Sequence, residues 1–185
     1  QWDDLSGSGR HLVQANTLYQ PEYTEDGVAF SLGHLLKTGS FSSGQPVFIY
    51  AVIRQDTWVA NEYLFTNYNN ANIYFQQRTS TPNVRITAGT PSGNNANMSI
   101  GAFYIVRILF NGASSKIQIN NTTATTGDFG ANAMDGLAIP SSATTTGAAI
   151  TIKAFIRRSY DDTGDNEYMI YNYLNAKYSL GLTGL

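Results

Sequence analysis

The chain has 185 residues and 42% of them are hydrophobic, enough to bury a substantial core and too many for a disordered segment. Charged residues make up 13%, the formal net charge is -2 and no run of Lys or Arg occurs, which excludes an electrostatic footprint for nucleic acid or an anionic membrane. With no cysteine, disulfides, thiolate metal sites and a cysteine nucleophile are excluded, and no apolar run approaches the length of a membrane-spanning helix.

Asn, Thr, Ser, Gln and Gly supply the polarity, a balance that suits a β-protein with polar loops working outside a cell. Gln1 as first residue reads as the start of a processed or trimmed fragment. Residues 1–27 read as mostly irregular. Asp4 and Ser6 are expected to hydrogen-bond nearby backbone, with Gly7 and Gly9 permitting the turns. Val28, Phe30 and Leu32 alternate with small or polar residues as a first strand. Residues 47–53 are apolar at every position, as in a strand buried on both faces at the centre of a sheet.

Residues 54–57 read as a loop, and 58–65 as the second strand of a hairpin. Shorter strands follow at 73–75 and 84–88, separated by a turn over 79–83, with a loop over 91–97. Residues 103–110 form another strand apolar on both faces, with Arg107 embedded in it. Asn111-Gly112 signals a hairpin into a strand carrying Ile117 and Ile119. Residues 121–149, rich in Thr, Ala and Gly, form the longest weakly structured region.

Ile150, Ile152, Ala154 and Ile156 alternate along a last strand, and a polar turn over 159–165 leads into a helix over 167–177. Ile170, Tyr171, Leu174 and Tyr178 form its apolar stripe, which must lie against a sheet. Thr163 or Asp162 is expected to cap the helix, Asp165 and Glu167 to favour its N-terminal dipole, Lys177 to sit near its end and Gly181 to stop it. Short, regularly spaced strands with little helix predict an all-β jelly-roll sandwich of two antiparallel sheets with one short C-terminal helix, as a single domain over residues 1–185.

Both ends of the chain carry a resemblance. Trp2, Asp4, the run Ser6-Gly7-Ser8-Gly9, His11-Leu12, Gln20-Pro21-Glu22-Tyr23 and Gly27-Val28-Ala29-Phe30 stand at the start. Tyr173-Leu174-Asn175-Ala176-Lys177-Tyr178 stands at the end. The chain resembles the laminin-G-like or concanavalin A-like jelly-roll domains of bacterial secreted proteins and phage virion proteins. That resemblance implies carbohydrate recognition or adhesion, or a structural virion role such as capsid decoration or a tail component. It also implies an extracellular or virion location, with a glycan or neighbouring virion proteins as partners and a possible homo-oligomer.

Catalytic patterns are weak. A retaining glycosidase needs two carboxylates about 5–5.5 Å apart, and the acidic cluster Asp161, Asp162, Asp165 and Glu167 falls in a turn at a helix start. The only histidines, His11 and His34, neighbour no nucleophile motif. The expectation is a non-enzymatic module without a cofactor. Calcium is the alternative, held by the acidic cluster or by Asp128 and Asp135 in the long loop. The candidate ligand-binding residues are Trp58, Tyr63, Tyr68, Asn69 and Tyr74, in or beside the Asn-rich stretch 67–72. Aromatic rings stack on the apolar face of a pyranose, and amides bond its hydroxyls.

Overall fold

The structure is a computed structural model, and residues 1–69, 71–90, 95–143 and 146–184 are described. The strands are β1 (Glu22–Thr24), β2 (Gly27–Phe30), β3 (Leu36–Lys37), β4 (Val47–Gln55), β5 (Tyr63–Thr66), β6 (Ile73–Gln77), β7 (Asn83–Ala88), β8 (Ala96–Asn97), β9 (Phe103–Phe110), β10 (Ser115–Ile119), β11 (Thr125–Gly127), β12 (Ala138–Ile139) and β13 (Ile150–Arg158); one helix, α1 (Asp165–Lys177), follows. They form two antiparallel sheets. One has seven strands in the order β1-β2-β13-β4-β9-β10-β11, the other six in the order β3-β12-β5-β6-β7-β8.

Alternation along the central strands explains why they are apolar throughout. In β4, Val47, Ile49, Ala51 and Ile53 join the core between the sheets, while Phe48, Tyr50 and Val52 point to the opposite face. In β9, Val106, Ile108 and Phe110 face inward, and Ile105 and Leu109 outward. The outward set is covered by Tyr171 and Leu174 of α1, with Ile170 and Tyr178 packed alongside. Each such side chain contributes about 1.5–3 kcal/mol on full burial. The six-stranded sheet sends Leu64, Phe65, Ile73, Phe75, Val84 and Ile86 into the inner core.

Several expectations are corrected. Residues 22–24 pair with β2 as β1, inside a region expected to be irregular, whereas Leu32 lies outside any strand and is exposed. Arg54 and Gln55 continue β4 and do not begin a loop. β5 starts at Tyr63 and lies in the other sheet, so residues 58–65 are not the partner of β4 in a hairpin; β4 is flanked by β13 and β9. Ala96 and Asn97 form β8 within the stretch expected to be a loop, and residues 91–94 of that stretch lie outside the described residues. The β9–β10 hairpin forms, but through a 3-10 turn over Gly112–Ser114.

α1 begins at Asp165 behind Gly164, with no side-chain cap, so neither Thr163 nor Asp162 plays that part. The Asp162 carboxylate is turned inward, 2.7 Å from Arg158 Nε, and accepts a hydrogen bond from the Tyr50 hydroxyl at 3.3 Å. Burial and the Asp162 charge push the Tyr50 phenol far above its usual range. The helix ends at Lys177, and the left-handed residue that follows is Ser179 at φ 50°, ahead of Gly181. Among the described residues no helix is long and apolar enough to cross a membrane.

Candidate functional site: the outer face of the six-stranded sheet

The helix covers one outer face of the sandwich, and the outer face of the six-stranded sheet carries polar and aromatic side chains. Register places them in rows. Lys37, Ala138, Thr66, Tyr74 and Thr87 are successive cross-strand partners from β3 through β12, β5 and β6 to β7. Five strands at their usual separation make this row roughly 19 Å long. Beside it stand Tyr63, Gln76 and Arg85, again partners across β5, β6 and β7. The alternation that sends Ile73, Phe75 and Gln77 inward turns Tyr74 and Gln76 to the other side of the sheet, where both are nonetheless buried under their neighbours while Tyr63 and Arg85 stay half-buried.

Tyr63 and Tyr74 meet edge to face, with centroids 5.3 Å apart and planes at 62°. Such a pair is worth about 0.5–1.5 kcal/mol beyond its area. The Arg85 guanidinium lies over the Tyr74 ring, 5.2 Å from its centroid, and its Nε donates to Gln76 Oε1 at 3.0 Å. Gln76 Nε2 donates to the Asn61 carbonyl at 2.6 Å, and Arg78 Nη1 reaches Asn61 Oδ1 at 3.5 Å. Burial raises the Tyr74 phenol, opposed by Arg85. Burial also lowers the Arg85 guanidinium, and Arg78 adds to that as a like charge. Aromatic surface, a fixed amide and two cations thus share one sheet face.

The remaining sequence-predicted residues lie around this face. Tyr68 follows β5, with the Lys37 ammonium 5.6 Å from its ring centroid. Asp135 holds the turn: it accepts from the Tyr68 backbone N–H and from Asn69 Nδ2, both at 2.9 Å. Trp58 lies in the β4–β5 connection, half-buried against the inner core, and its indole Nε1 is buried with no partner among the described residues. Asn70, in the Asn-rich stretch, lies outside the described residues. On the opposite flank the loop after β12 crosses Thr66, whose hydroxyl accepts from the Ser142 N–H at 3.0 Å.

Sequence reading found the two tyrosines and missed Gln76 and Arg85. The signal was present in the period of two along 73–77 and 83–88, but only the register shows which residues of different strands become neighbours.

Of the aspartates considered for calcium, Asp128, Asp135, Asp161 and Asp162 are engaged by the chain itself. Asp128 accepts from the Gly130 N–H at 2.9 Å, and Asp161 from the Thr163 N–H at 3.0 Å. Glu167, expected at the helix dipole, is buried: Oε1 is 2.8 Å from Arg107 Nη1 and Oε2 is 2.5 Å from Lys116 Nζ. Among the described residues no group of three or more His, Asp or Glu is placed to hold a metal ion.

This architecture is an all-β jelly-roll sandwich of two antiparallel sheets with one C-terminal helix. No protein-family model matches the sequence, and no curated protein matches it. Solved structures do. Trypanosoma rangeli sialidase aligns with TM-score 0.64 and 9% identity over 85% of this chain, and the same enzyme in complex with the inhibitor DANA aligns with TM-score 0.63 and 11% identity over 85%. The chain spans 28% of the length of these sialidase chains. An alginate lyase from Corynebacterium sp. aligns with TM-score 0.49 and 10% identity, over 77% of this chain and 82% of that one. These neighbours are enzymes. At such identities the likeness to the sialidases shows the fold.

Proposed function

We propose that this chain is a carbohydrate-binding or adhesion module of laminin-G-like type, without catalytic activity, working on a cell or virion surface. Its binding face is the outer face of the six-stranded sheet. The observation that carries this reading is the cluster of Tyr63, Tyr74, Gln76 and Arg85 on the sheet face away from the helix, where Tyr63 and Arg85 are half-buried and reach the surface over the buried Tyr74 and Gln76. The tyrosine rings offer a hydrophobic platform for a pyranose. Arg85 is a donor to its hydroxyls and is suited to a sugar carboxylate, and the buried Gln76 holds the guanidinium in place. Tyr68 and Asn69 form the rim, and Trp58 braces the connection that leads into β5.

The test is a glycan array on the purified chain, with calcium and again with a chelator, repeated with Tyr63→Ala and Arg85→Ala. Binding to a coherent sugar set is expected, weakened about tenfold or more in each variant, which corresponds to about 1.4 kcal/mol. Loss with chelator would return calcium to the site. Release of reducing ends from a polysaccharide would make the chain a hydrolase. A blank array on a well-folded sample would sink the reading.

A second reading, a structural virion component that binds protein neighbours, is favoured by the far side of the helix. Tyr168, Met169 and Tyr173 are exposed there, and Tyr160 is exposed in the turn that precedes the helix, a set of large apolar side chains of the kind that marks protein contacts. Sedimentation analysis separates the two: this reading expects a homo-oligomer that Tyr173→Asp dissociates.

A further inference from the structure

Arg157 lies in the second half of β13, where that strand has left its partner β2 and pairs with β4 alone. It stands opposite Ile49 and two residues from Phe155, on the side of the sheet that faces the inter-sheet core. A guanidinium is therefore sent into the mouth of the sandwich. Its Nη1 donates to Ser159 Oγ at 3.1 Å, while Nε and Nη2 are buried with no hydrogen-bond partner among the described residues. Its Cζ lies 5.2 Å from the centroid of Phe41, and the guanidinium of Arg10 lies 4.2 Å from the same centroid. The Ser43 and Ser159 hydroxyls are 3.5 Å apart beside them.

Among the described residues no salt bridge involves Arg10 or Arg157. Burial, and then the positive charge of Arg10, push the Arg157 guanidinium down to about 10. A half-buried cation without a counter-charge is disfavoured, and a second cation on the same ring adds to that. The same parts, two forked donors and two hydroxyls, are those that recognise an oxyanion. Arg10 can move to admit one. Its backbone N–H is anchored to Asp4 at 2.9 Å, while the residue is exposed.

We propose that Arg157, Arg10, Ser43 and Ser159 form an oxyanion-binding site at this end of the sandwich, taking a carboxylate, sulfate or phosphate group. The anion bridges the two guanidiniums and occupies the Nε and Nη2 donors of Arg157. The site lies inside the β13 edge, away from the outer face of the six-stranded sheet, and does not depend on glycan binding there. The anion comes either free from solution or as the acidic group of a polysaccharide.

The experiment compares thermal melting of wild type, Arg157→Met and Arg10→Ala in sodium sulfate and in sodium chloride of equal ionic strength. The Arg157 Nε–H resonance is followed by NMR in the same titrations. Wild type is expected to gain a saturable increment over chloride, roughly 3–6 °C at about ten times Kd, while the Arg157 resonance shifts with the same midpoint. Arg157→Met is expected to lose the saturable part and to melt no lower than wild type without sulfate, because it removes an uncompensated half-buried charge. Arg10→Ala should weaken the response. A sulfated oligosaccharide binding at least tenfold more tightly than sulfate, and displaced by it, assigns the site to a polysaccharide; equal affinity assigns it to the free anion. An equal sulfate response in Arg157→Met, or an Arg157 Nε–H that does not move, overturns the proposal. Should Arg157→Met fail to fold, Arg10→Ala and the resonance decide.

Discussion

Replacing Glu167 by Ala should be among the most damaging single changes in the chain, although Glu167 sits on the surface helix. Its carboxylate meets Arg107 on one side and Lys116 on the other, and Arg107 is only 2% exposed while Glu167 is 5% exposed. Arg107 is further tied by Nη2 to the Asn120 carbonyl at 2.6 Å and lies 4.7 Å from the Tyr171 ring centroid. Removing the carboxylate strands the Arg107 guanidinium in an interior that already lowers its pKa through burial, and deletes the counter-charge that opposes that shift. Breaking a buried pair in this way costs about 3–5 kcal/mol, a large share of a typical 5–15 kcal/mol. The melting temperature should fall by roughly 6–20 °C at about 2–4 °C per kcal/mol. Glu167→Gln keeps the shape and one acceptor but deletes the same counter-charge, so it should lose somewhat less than Glu167→Ala while remaining clearly destabilised. Urea denaturation followed by tryptophan fluorescence and far-UV circular dichroism measures both. The decisive variant is Arg107→Met with Glu167→Gln, which removes the two buried charges, leaves only the half-buried Lys116 ammonium, and should recover most of the loss. If Glu167→Ala costs under about 1 kcal/mol, or the double variant is no better than Glu167→Ala, the buried charge is not what the triad protects.

Leu174→Ala should cost about 2–5 kcal/mol and open α1 to limited proteolysis before the sheets unfold, because Leu174 is fully buried against the outer side of β4 and β9. Gly130→Ala should be worse than a surface change, at about 1–3 kcal/mol or more: Gly130 has φ 97° and an added Cβ would press on the Ala88 carbonyl, so denaturation midpoints should drop with an unchanged slope. The Asp4 carboxylate accepts from Ser6 and from the Arg10 N–H, which hold it at about 2 against 3.8 for a free carboxyl. Its folded pKa is lowered, so its contribution is full above 3.8 and lost as pH falls towards 2. Melts of wild type and Asp4→Asn should therefore differ modestly at pH 6 and converge by about pH 2.

Strands buried on both faces were legible in the sequence because every residue of 47–53 and nearly every one of 103–110 must be apolar when a core lies on each side. The helix was legible from its stripe. β1, β8, β11 and β12 were not, since each has only two or three residues and too little side-chain pattern of its own; a partner strand defines it. Which sheet a strand joins was also hidden. Residues 58–65 follow β4 closely in sequence, yet the connection crosses to the opposite sheet. Glu167 illustrates the same limit: an acid in a first helical turn suits the dipole, and the Arg107 that turns it inward is 60 residues away. At the candidate site the tyrosines stood out by type, while Gln76 and Arg85 became neighbours of Tyr63 only through strand register.

The helix that closes the seven-stranded sheet follows every strand in the chain, and this sets an order of events during synthesis. β4 and β9 leave the ribosome well before α1 does. Until α1 docks, the sheet they build displays Phe48, Tyr50, Val52, Ile105 and Leu109 as a continuous oily strip. Such surface on a partly folded chain invites association with other nascent chains or capture by chaperones. A chain stalled short of Asp165 should bind a hydrophobic dye that the finished protein ignores, so these thirteen helical residues act for the fold as a cover that arrives last.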